Sequence, residues 1–246
     1  MCRTCLAREA DAANGVSRRR VLKWGAIAAP AFALAGPAAA KKAKPTPKPQ
    51  NDISPAAALD RLMKGNARYI GGVTRRVDFK SEREALSGGQ NPYAGILSCA
   101  DSRIAPEYAF DSGRGDLFVC RVAGNFANDD SIASLEYAVA ILNTPLVLVL
   151  GHESCGAVDA TIKSLKDGTT LPGHLPSLVN AIAPAVKASA DQPGDKLQNA
   201  IRQNVIDNVA KLKSSTPMLS AAVEQGKLKV AGAIYRLGSG RVELVA

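Results

Sequence analysis

Five consecutive branched apolar residues, Leu146-Val147-Leu148-Val149-Leu150, constrain this chain more than any other stretch. A strand with one wet face alternates apolar and polar, whereas this run is apolar on both faces. It therefore reads as a strand buried in a parallel sheet with helices above and below. The run leads into Gly151-His152-Glu153-Ser154-Cys155-Gly156 and then a predicted helix from Ala157. Roughly fifty residues earlier, about one βαβ unit with its loops, a second strand-like run, Tyr93 to Leu97, ends in Ser98-Cys99-Ala100-Asp101-Ser102-Arg103. Open α/β sheets place ligands at the carboxyl ends of their strands. Two such ends here offer sulfur, nitrogen and sulfur donors, the set that holds a zinc ion with one position free.

The rest of the chain fits the same architecture. Ser54-Pro55 caps a helix with an apolar face at Leu59, Leu62, Met63 and Tyr69, ended by Gly71-Gly72. A short helix is predicted over Glu82 to Leu86, and Pro106 opens a turn or short helix. Leu117 to Val122 reads as a strand and Ser131 to Leu142 as a helix. Helices follow at Ala157 to Lys166, at Leu175 to Ala188 with an interruption at Pro184, at Lys196 to Leu212, and from Thr216-Pro217 to Gly226. Leu228 to Leu237 and Arg241 to Val245 close the chain as a hairpin around Gly238-Ser239-Gly240. The expected fold is α/β: a mostly parallel central sheet flanked by helices, with an antiparallel C-terminal edge strand.

The net charge of +9 would suit a nucleic-acid surface if it lay on the folded part, but it does not. Residues 1–50 hold ten of the 31 Lys/Arg and two of the 22 Asp/Glu, which leaves 21 against 20 for the remainder. With few aromatics and no basic stripe, no nucleic-acid partner is expected. Ser17-Arg18-Arg19-Arg20-Val21-Leu22-Lys23 precedes an Ala-rich apolar run, Trp24 to Ala40, which ends in a small-residue cleavage pattern. Broken by Pro30 and Pro37, the run is short for a span that needs ~20 residues. It resembles a twin-arginine export signal, so residues 1–40 read as a signal peptide and the twin-arginine machinery as a partner. Residues 41–53 read as a Lys/Pro-rich tether and 54–246 as the catalytic domain. The mature protein is then expected to be periplasmic or secreted after cleavage near Ala40. Cys2 and Cys5 leave with the signal, and Cys120 is expected to be a small buried thiol.

Only two histidines are present, and His174 falls in a Pro/Gly-rich loop where a solvated role is expected. A three-histidine zinc site is thereby excluded. Two thiolates and one imidazole cancel the metal's charge and acidify a bound water less than neutral ligands would, so surrounding groups must help. Asp101 and Arg103, two apart in a segment read as extended, can form a bidentate pair that keeps the carboxylate ionised and aimed. Arg103 follows Cys99 by four residues rather than six, which disfavours a cysteine-phosphatase loop.

Cys99-Ala-Asp-Ser-Arg103 and His152-Glu-Ser-Cys155 resemble the two zinc motifs of the β-class carbonic anhydrases. The similarity continues through Gly115-Asp-Leu-Phe-Val119, Arg121-Val-Ala-Gly-Asn125, Leu135-Glu-Tyr-Ala-Val139 and Ala231-Gly-Ala-Ile-Tyr235. The resemblance implies Zn²⁺ on Cys99, His152 and Cys155, with Asp101 and Arg103 as the catalytic dyad. It also implies a substrate pocket with Gln90, Phe118 and Tyr137 shared across a dimer, in a homodimer or higher homo-oligomer. The implied reaction is hydration of CO₂ to bicarbonate and a proton by zinc-bound hydroxide. Relatives with the same ligands that hydrolyse carbon disulfide or carbonyl sulfide, and a non-catalytic zinc or bicarbonate binder, are the alternatives. Some family members have an inhibitory bicarbonate pocket with a Trp where this chain has Ile96, so Asp101 is expected on Arg103 rather than on the metal.

Overall fold

A computed structural model describes residues 52–74 and 78–246. The export-signal reading and nearly all of the tether lie outside the described residues. Helix α1 (Pro55–Ile70) starts where expected: Ser54 Oγ accepts the amide of Ala57, and Pro55 fills the first position, which needs no donor. Helix α2 (Phe79–Leu86) starts before the expected Glu82, because Asp78 caps it by accepting from Lys80 and Ser81. Strand β1 (Ala94–Ser98) is followed by the single-turn helix α3 (Pro106–Ala109) and strand β2 (Leu117–Arg121). Helix α4 (Asp129–Ala140) begins two residues ahead of Ser131, which is instead the third residue of a capping box. Asn128 accepts the Ser131 amide, and Ser131 Oγ accepts the Asn128 amide.

After strand β3 (Leu146–His152) come α5 (Gly156–Asp167), α6 (Leu175–Ala188), α7 (Lys196–Lys213) and α8 (Met218–Glu224). Helix α6 runs through Pro184 without the expected break. Both Pro184 and Asn180, four residues back, face solvent, so the carbonyl that loses its partner is open to water. Strands β4 (Lys229–Tyr235) and β5 (Val242–Leu244) form the terminal hairpin.

The sheet order is β2-β1-β3-β4-β5, parallel throughout except for the antiparallel β4–β5 edge. Alternate residues of the central strands enter two separate cores. Ile96, Leu146, Leu148 and Leu150 face α1 and α3, while Leu97, Val147 and Val149 face α4 to α8. The five residues of the opening motif are all fully buried, as a doubly covered strand requires. At roughly 1.5–3 kcal/mol per large apolar side chain, this run contributes heavily to stability. β1 continues sideways to β2 and β3 to β4, so the chain leaves this neighbouring pair in opposite directions. The crevice at their carboxyl ends is the topological switch point of the sheet.

Helix α1 crosses close over α3 at Gly65, where an added Cβ would lie 1.9 Å from the carbonyl oxygen of Phe110. Helix propensity alone makes Gly65→Ala stabilising by about 1 kcal/mol. We expect the reverse, a loss of about 1–3 kcal/mol in urea unfolding, because backbone rather than a flexible side chain stands in the way.

Candidate metal centre

Ser98 pairs with Leu150 in register, so the next residue of each strand, Cys99 and Gly151, reaches the crevice together, with His152 one step on. The chain then turns sharply through Ser154, held at φ 54°, and Cys155 becomes the N-cap of α5. Cys99, His152 and Cys155 are buried, and their donor atoms all lie within 4.8 Å of one another. The two sulfurs are 3.9 Å apart and not disulfide-bonded.

Protein hydrogen bonds already prepare each donor. His152 Nδ1 donates to the carbonyl of Glu153 at 2.9 Å, which leaves Nε2 as the inward-facing acceptor. That Nε2 is buried without a hydrogen-bond partner. The amide of Gly124 donates to Cys99 Sγ at 3.3 Å. Because Cys155 donates to Cys99, the Cys99 thiol ionises more readily than usual, against the opposing effect of burial. Cys155 is driven far up by the same hydrogen bond, by burial and by the charge on Cys99. Burial opposes protonation of His152, but the Cys99 thiolate and Asp101 outweigh it and raise its pKa.

These donors fit zinc. Tetrahedral bonds of about 2.3 Å separate two sulfurs by about 3.8 Å, close to the spacing found. A divalent cation would hold both sulfurs as thiolates and would satisfy the orphaned imidazole nitrogen, a group costly to bury alone.

Asp101 and Arg103 form the bidentate pair, Nε to Oδ1 at 2.9 Å and Nη2 to Oδ2 at 2.7 Å. The extended segment invoked for it is wrong. Residues 101–104 form a turn closed by the Ile104 amide on the Asp101 carbonyl, and the Arg103 amide also donates to Asp101 Oδ1. Arg103 holds the Asp101 carboxyl well below the usual carboxylate range, with burial opposing. Asp101 Oδ2 lies 3.8 Å from His152 Nε2, so the carboxylate faces the ligand cluster. Arg103 also donates to the carbonyl of Ser154, tying the two motifs together.

Gln90, Phe118 and Tyr137 are not gathered at this cluster within the chain. Phe118 pairs with Gly95, four residues before Cys99 and thus about 13 Å back along the sheet. Its ring contacts that of Tyr137, centroids 6.3 Å apart, and Tyr137 is 48% exposed, while Gln90 lies exposed ahead of β1. His174 is exposed at the start of α6. Cys120 is half-buried rather than buried, because β2 is an edge strand, and partial burial pushes its thiol up.

Two residues that frame the site carry no role in the sequence reading. Arg121 donates to the carbonyls of Cys99, Asp101 and Ile104 at 2.7–3.0 Å and so clamps the whole Asp101 turn. A lone arginine closing the apolar strand Leu117-Phe-Val-Cys-Arg121 was the available signal. Glu153 anchors the second motif to the terminal hairpin: its amide donates to the carbonyl of Tyr235, and Oε1 accepts from Gly238.

The carbonic anhydrase family model matches residues 94–242. Carbonic anhydrase 2 of Mycobacterium tuberculosis is 38% identical over 194 residues, covering 78% of this chain and 94% of its own length. The carbonic anhydrase of Mycolicibacterium smegmatis is 36% identical over 192 residues, 78% and 93% of the two chains. Among solved structures, the β-carbonic anhydrase CafA of Aspergillus fumigatus superimposes with a TM-score of 0.59 at 26% identity, over 77% of this chain and 89% of that one. A family match over more than half the sequence, and relatives paired along nearly their full length, lead to one assignment: this chain belongs to the β-class carbonic anhydrases.

Proposed function

We propose that the chain catalyses reversible hydration of CO₂ to bicarbonate and a proton, with Cys99, His152 and Cys155 holding zinc and Asp101 and Arg103 as the catalytic pair. The observation that carries this reading is the convergence of three buried donors within 4.8 Å, faced by a carboxylate that a guanidinium grips at both oxygens. Zinc, when bound, supplies a Lewis acid that brings the pKa of a water toward neutrality. The remaining work falls to the chain. Glu153 fixes the tautomer of His152 through its carbonyl. Once that water has given a proton to solvent, Asp101, kept ionised by Arg103, would accept the remaining O–H at Oδ2 and turn the oxygen's lone pair toward the carbon of CO₂. Arg121 and Ser154 hold that carboxylate's turn so the aim is not lost.

Gln90, Phe118 and Tyr137 are proposed to complete the substrate pocket of a second copy, in a homodimer or higher homo-oligomer. Their distance from the chain's own cluster and the exposure of Tyr137 support this. Residues 1–40 are proposed as a twin-arginine export signal, 41–53 as a tether and 54–246 as the catalytic domain, giving a periplasmic or secreted enzyme. The run of three arginines and the small-residue end at Ala40 support that.

Asp101→Ala should retain stoichiometric zinc while stopped-flow CO₂ hydration falls about 100-fold; zinc loss or near-normal turnover contradicts the assignment. Mixing Asp101→Ala with Phe118→Ala subunits should restore ~25% of wild-type activity, because half the dimers carry one site with both lesions and one with neither. No restoration after verified subunit exchange refutes the shared pocket. Trp24 is the sole tryptophan, so the exported product should show no indole emission and start near residue 41 by mass.

A further inference from the structure

Helix α7 buries a stripe of Ala200, Ile201, Asn204, Val205, Asn208, Val209 and Leu212. Two asparagines in that stripe break the apolar pattern, and asparagine is a poor residue for a helix interior. Buried at 1% and 6% exposure, they need partners. They find them in the loop after β2. Asn204 Nδ2 donates to the carbonyl of Gly124 at 2.8 Å, and Asn208 Oδ1 accepts the amide of Ala127 at 2.7 Å. Asn208 Nδ2 donates back to the Asn204 carbonyl at 2.7 Å, and Lys211, one turn on, donates to the Ala127 carbonyl at 2.6 Å.

The loop so gripped contains the amide that donates to Cys99 Sγ. Gly124 adopts φ +84°, and a Cβ there would lie 2.5 Å from Cδ1 of Ile182, so the position admits glycine and little else. Asn204 holds the carbonyl of this residue, and because that carbonyl and the N–H on Cys99 flank the same Cα, fixing one limits the backbone rotation that would turn the other away. A hydrogen bond to a thiolate draws electron density from the sulfur, and this site has two thiolates that blunt the metal's acidity. We propose that Asn204 is a positioning residue for the metal centre: acting through Gly124, it keeps an N–H on the Cys99 sulfur and limits the charge that sulfur passes to the metal. The inference rests on the reading of Cys99 as a zinc ligand.

The test uses full-length protein with Co²⁺ in place of zinc, comparing wild type, Asn204→Leu and the milder Asn204→Ser. Thr144→Val serves as a control, because it deletes an equally buried side-chain bond, to the Pro92 carbonyl, at the far end of β3. That end lies about 20 Å from His152. Loss of the N–H···S bond raises the energy of the sulfur electrons. The sulfur-to-cobalt charge-transfer band should therefore move to longer wavelength in both Asn204 variants and stay in place in Thr144→Val. A folded, cobalt-loaded Asn204 variant with an unmoved band overturns the proposal and leaves a purely structural clamp; if leucine prevents folding, the serine variant decides. Absence of any sulfur-to-cobalt band in the wild type instead overturns the ligand assignment itself.

Discussion

Ser98 of β1 stands opposite Leu150 of β3, and this parallel register brings Cys99 to the crevice beside Gly151 and His152. Slipping the pair by one residue would exchange the two faces of β1 and turn the Cys99 side chain to the other core. Such a slip is costly here because the central strands are packed on both faces by different sets of helices. The five-residue apolar run therefore does more than fill a core. It buries both faces of β3, and the register that β3 keeps with β1 positions a sulfur from one motif against a nitrogen and a sulfur from another.

Much of this was legible in the chain before its structure. A doubly buried strand announces a parallel sheet, and short motifs at two strand ends announce a site at its carboxyl edge. Ser54-Pro55 marked the start of α1 to the residue. The two helix starts that lie ahead of their apolar pattern share a cause: Asp78 and Asn128 cap α2 and α4 outside it. The Asp101–Arg103 pair forms although its segment is a turn and not extended, because a turn brings the two side chains together as well. Groups that act through the backbone were not legible at all. Arg121 holds three carbonyls, Glu153 lends its own carbonyl to His152, and Asn204 holds that of Gly124. Such roles depend on where main-chain atoms point after folding, which side-chain spacing does not encode.

The two faces of the sheet divide the work unequally. On one side α1 and α3 form a thin cover whose chief polar feature, Asn66, ties Ala109 to the terminal hairpin through Gly240 and Val242. On the other, α4 to α8 form a thicker layer, and it is there that buried polar side chains reach the loops at the crevice. Helices α5 and α7 thus hold the site from two directions, α5 by presenting Cys155 at its N-terminus and α7 by gripping the loop after β2.

Several departures from local preference meet at the crevice. Ser154 and Asn125 adopt positive φ without being glycine, α7 buries asparagines mid-helix, and His152 buries an unpaired nitrogen. Each is unfavourable alone, and together they oppose the stability that the apolar strands supply. A folded chain tolerates them because the surrounding core over-determines their positions. The cation that this donor set fits would offset part of the cost by pairing the imidazole and both sulfurs. Binding energy at the crevice is then also folding energy, and the same contacts that aim the ligands are those the metal stabilises.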